Sequence, residues 1–62
     1  MKLNVNPMID DPDGFYKELI DSQRNCNDEE QQLMNAKLIL ILANHIGDRG
    51  VLSEAIGLAS LR

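Results

Sequence analysis

The segment from Asp28 to Ile46 runs without a glycine or a proline and carries five consecutive aliphatic residues, Leu38 to Leu42. Whether it forms a strand or a helix decides the fold. The alternation and the β-branched residues of LILIL permit a strand. Three features favour a helix. Asn27 followed by Glu30 has the spacing of a capping box, in which each side chain accepts from the other's backbone N–H. Asp28, Glu29 and Glu30 crowd the first turn, where the helix dipole favours negative charge, and the residues that follow, EEQQLMNAKL, are mostly good helix formers. The far end closes as a helix does: Gly47 can adopt the left-handed conformation beyond the last turn, and Asp48 can cap the next helix.

Shorter helices flank this one. Asp11 is placed to cap a first helix with Pro12 at its first position, where the missing N–H costs nothing. Phe15, Tyr16, Leu19 and Ile20 then mark one apolar face. Gly14 reads as a weak point of that helix, worth up to about 1 kcal/mol against alanine. After Asp48, the residues Val51, Leu52, Ala55, Ile56 and Ala59 keep one face of a third helix apolar, and Leu58 widens it. MKLNVN alternates before Pro7, but a lone strand has no partner in this chain. Residues 1–9 therefore read as an extended arm lying on the helices. The expected fold is all-α: one small three-helix domain over residues 1–62, with helices at about 11–23, 28–46 and 49–60.

The second helix asks for more cover than its neighbours can supply. At about 100° per residue, its aliphatic side chains are spread almost all round the axis, and such a helix is normally buried on nearly every side. Two short helices cover about half of it. Small folds usually add disulfides, a metal or oligomerisation to a core of this size. Cys26 is the only cysteine and His45 the only histidine, so no internal disulfide can form, and the four N/S ligands of a structural zinc site are not at hand. Association is the remedy left. We expect contacts through Leu38, Ile39, Ile41, Leu42 and Ile46, with Asn44, His45 and Asp48 at the rim. Asn35, on an otherwise apolar side, is a candidate for fixing register in an assembly.

Charge narrows the partners. The formal charge is −4, concentrated in residues 1–30, which carry eight acidic side chains against three basic ones. Clustered Lys/Arg for nucleic-acid phosphates are lacking, and the third helix has too few polar residues to read base edges. An acidic front disfavours anionic membranes, the longest apolar run is too short to span a bilayer, and the start lacks a signal-peptide core. A soluble, cytoplasmic protein is expected. Asp11-Pro12-Asp13-Gly14 breaks the calcium-loop pattern, and no Ser/His/Asp set or Gly-rich phosphate loop is found. No catalytic residue, metal or cofactor is expected. The leading expectation is a non-catalytic protein–protein interaction module, a homo-oligomer or a small accessory subunit of a larger enzyme. The alternative is a small oligomeric ligand-binding protein or enzyme with His45 at a subunit junction. A third is an acidic inhibitor or antitoxin whose front half mimics a polyanion.

The segments DPDGFYKELI, DEEQQLMNAKLILILANHIGD and VLSEAIGLA resemble a family of short bacterial proteins of unknown function, and LANHIGD at residues 42–48 is the most specific piece. Such proteins are similar to small companions encoded beside flavin-dependent aromatic hydroxylases and related catabolic enzymes. The resemblance implies a flavin-dependent partner as one form of the accessory-subunit reading. It implies no catalytic role for any residue.

Overall fold

A computed structural model of the chain describes residues 2–61. It contains three helices, α1 (Pro12–Ser22), α2 (Asp28–Ile46) and α3 (Arg49–Ala59), and no strand among the described residues. The all-α reading holds, with the ends of α1 and α3 drawn in by about a residue as helix ends fray.

Local chemistry sets the boundaries. Asn27 Oδ1 accepts from Glu30 N at 2.8 Å, and Glu30 Oε1 accepts from Asn27 N at 3.0 Å, which completes the capping box of α2. Gly47 closes α2 in the left-handed conformation, φ 73°, and its N–H donates to the Ala43 carbonyl. Asp48 then caps α3 by accepting from Val51 N at 3.0 Å. At the head of α1, Asp11 Oδ1 accepts from Gly14 N at 3.1 Å. Asp11 itself is left-handed, φ 51°, a conformation that Asp tolerates better than most side chains.

Gly14 does more than loosen α1, because a Cβ there would meet the capping carboxylate of Asp11. The glycine leaves room for the cap.

The expected arm meets the helices at Leu3, while Val5, Met8 and Ile9 stay exposed. Leu3 is half-buried, and its N–H donates to Glu54 Oε2 on α3 at 2.8 Å. Met1, the first residue of that arm, lies outside the described residues. Between α1 and α2, Gln23 Nε2 donates to Asn35 Oδ1 at 2.8 Å. Asn35, the candidate register residue, thus has a partner inside its own chain.

The helices are arranged openly. Val51, 5% exposed, is the one described hydrophobic residue that is buried. The radius of gyration is 13.3 Å, against about 10.5 Å for a compact domain of this length. No described helix is long and apolar enough to cross a membrane.

Candidate functional site

The two-residue link Gly47-Asp48 turns the chain sharply and sets α3 against α2. Val51 follows in the first turn of α3 and is buried. Beside it runs an open groove of about 440 Å³. One wall is Ile39, Leu42, Ala43 and Ile46 of α2, spaced i, i+3, i+4, i+7, so that all four share one helix face. The other wall is Leu52, Ala55, Ile56 and Ala59 of α3, with the same spacing. Arg49 is the one charged residue among the described lining residues, and its guanidinium donates to Ser53 Oγ one turn further along α3.

The groove is lined but not filled. Ile39 and Ile56, one on each wall, are both 64% exposed. Water therefore contacts most of two aliphatic side chains that face the same space. Large side chains alternate with Ala43, Ala55 and Ala59, so the surface has both ridges and hollows.

The predicted contact residues do not form one set. Ile39, Leu42 and Ile46 line the groove. Leu38 faces the other way, into a smaller crevice of about 170 Å³ shared with Phe15, Leu19 and Met34. There Ser22 Oγ donates to the Leu19 carbonyl at 2.6 Å and lies 3.7 Å from Met34 Sδ. Ile41 is 65% exposed and does not line the groove. Asn44 and His45 are exposed in the last turns of α2, and Asp48 serves as the cap of α3. No group of three His, Cys, Asp or Glu side chains is placed to hold a metal ion among the described residues. The wall from α3 was missing from the predicted set. Its signal was present, since Leu52, Ala55, Ile56 and Ala59 already marked an apolar face, but nothing local said that this face and one of the faces of α2 share a groove.

A family model described as "Protein of unknown function (DUF2783)" matches residues 3–61. The chain belongs to the DUF2783 family. The match takes in α1, α2, α3 and most of the arm, so both walls of the groove lie inside the DUF2783 segment. No curated protein and no solved structure gives a significant match to the chain. The DUF2783 description carries no reaction, so a functional reading rests on the groove.

Proposed function

We propose that the chain is a non-catalytic protein–protein interaction module whose α2–α3 groove completes its core on another polypeptide. One observation carries this reading: the groove presents Ile39, Leu42, Ile46, Leu52 and Ile56 on facing walls, while Val51 is the one described hydrophobic residue that is buried. Fully burying an aliphatic side chain of this size contributes about 1.5–3 kcal/mol relative to leaving it in water. Contiguous apolar surfaces rimmed by polar residues mark association sites. The described lining offers no carboxylate, imidazole, thiol or hydroxyl, so its chemistry suits recognition of apolar side chains rather than bond-making. The partner is a second copy or a larger protein served by a small accessory subunit. A flavin-dependent catabolic enzyme is the form of the latter that the family resemblance suggests. A cytoplasmic setting belongs to the same reading and suits the free thiol of Cys26.

Photocrosslinking in living cells tests the module. A benzophenone amino acid is placed at Ile39 in the groove and, in a parallel strain, at Glu29 on the acidic first turn of α2. The expected result is a covalent adduct with a polypeptide from position 39 and little from position 29. Equal yields, or no polypeptide adduct from position 39, would overturn the reading.

A further inference from the structure

We infer that the polypeptide that fills the α2–α3 groove is a second copy of this chain, each copy seating the α3 ridge of Leu52 and Ile56 against the α2 wall of the other. The inference rests on the interaction-module reading and names its partner.

Area supports it first. The chain exposes 5819 Å², whereas a folded monomer of its 7.0 kDa mass exposes about 4,000 Å². The surplus is about 1,800 Å² per chain on that scale. The extended arm accounts for part of it. The groove walls contribute Ile39, Leu42, Ile46 and Ile56, each 43–64% exposed, to the surface available for a standard stable interface of roughly 800 Å² per partner. Association on that scale supplies the core that a single copy lacks.

Shape and charge then favour a like partner. An interface related by a two-fold axis must be self-complementary, because the same patch meets itself. The groove offers what that condition asks for, large residues beside small ones on both walls. Ile39, Leu42 and Ile46 stand beside Ala43, and Leu52 and Ile56 beside Ala55 and Ala59, so the ridges of one copy have hollows to enter on the other. Two chains of formal charge −4 repel unless their carboxylates are kept apart. No acidic residue is among those described as lining the groove. Asp28, Glu29 and Glu30 sit at the opposite end of α2 from the Gly47 turn, Glu54 is engaged by the Leu3 N–H, and Asp48, in the turn between the walls, accepts from the Val51 N–H. Apolar faces can therefore meet without bringing carboxylates together, and Arg49, the one charged lining residue, is directed along α3 to Ser53.

Sedimentation equilibrium of the intact chain, from low-micromolar to sub-millimolar concentration, tests the inference. The expected species has twice the 7.0 kDa chain mass. Ile56→Lys is expected to weaken dimerisation about a hundred-fold or more, because an ammonium group is forced against aliphatic side chains. Leu40→Lys lies on a face of α2 that does not line the groove and is expected to leave dimerisation nearly unchanged. The milder Ile56→Ser reports on the same position if the lysine variant loses its helical circular dichroism. A wild-type chain that stays monomeric throughout would overturn the inference, as would equal weakening by Leu40→Lys and Ile56→Lys. A monomer in the centrifuge together with a crosslinked adduct of a larger protein from position 39 sinks the second copy and spares the module. Absence of any adduct from position 39 removes the module itself.

Discussion

A Cβ on Gly14 would lie 2.0 Å from Oδ2 of Asp11, so the cap of α1 and the glycine three residues on form one unit. Substitution at either position acts through the other. Gly14→Ala gains up to about 1 kcal/mol of helix propensity and displaces a cap worth typically about 1 kcal/mol, up to about 2. We expect it to destabilise the native chain by up to about 1 kcal/mol, the excess of a strong cap over the propensity gained. In an Asp11→Gly background no cap remains to be displaced, and glycine suits the φ of 51° at that position. The same Gly14→Ala change is then expected to stabilise. Urea unfolding of the four chains checks the reversal of sign, and an unchanged sign refutes the coupling.

Gly57 is the contrasting case. It lies inside α3, and a Cβ there meets nothing within 4 Å. Gly57→Ala should stabilise by about 0.5–1 kcal/mol, which raises Tm by several degrees in a domain of this size. Thermal melts at fixed chain concentration read this directly. A lowered Tm would mean that the open space beside Gly57 is occupied in solution.

The capping box of α2 makes a third prediction. Asn27→Ala should cost about 1 kcal/mol. Glu30→Ala should cost less, since Glu30 satisfies only the Asn27 N–H. Because each residue holds the other in place, the double variant should lose less than the sum, with a coupling of about 0.5 kcal/mol or more. Strict additivity in chemical unfolding would show that the two bonds act independently.

Ile41 and Leu42 are neighbours in sequence that answer differently. Leu42 lines the groove and Ile41 does not. Leu42→Asp is expected to abolish association, through a carboxylate placed among aliphatic side chains. Ile41→Asp should leave most of it intact. Sedimentation of the two variants side by side decides, and equal loss would point to association through the outer face of α2.

Most of the secondary structure was legible in the residues themselves. Asn27 with Glu30, Asp11 with Pro12, and Gly47 with Asp48 announce helix ends, because capping bonds span only three or four positions and need no distant partner. The role of Gly14 was misread for a related reason. Propensity counts the residue alone, whereas its value here is the space it leaves for Asp11.

The sequence alone determined where the three helices begin and end, and that a chain with one cysteine and one histidine has more aliphatic surface than it can cover. Only the tertiary structure decided how that surface is divided. Leu38 turns toward Phe15 and Leu19, Ile39 and Leu42 turn toward Leu52 and Ile56, and Ile41 stays outside both. The reason lies in α2. A helix apolar almost all round has no preferred face to orient it, so its rotation is set by contacts with elements distant in sequence, and local residues do not encode those contacts.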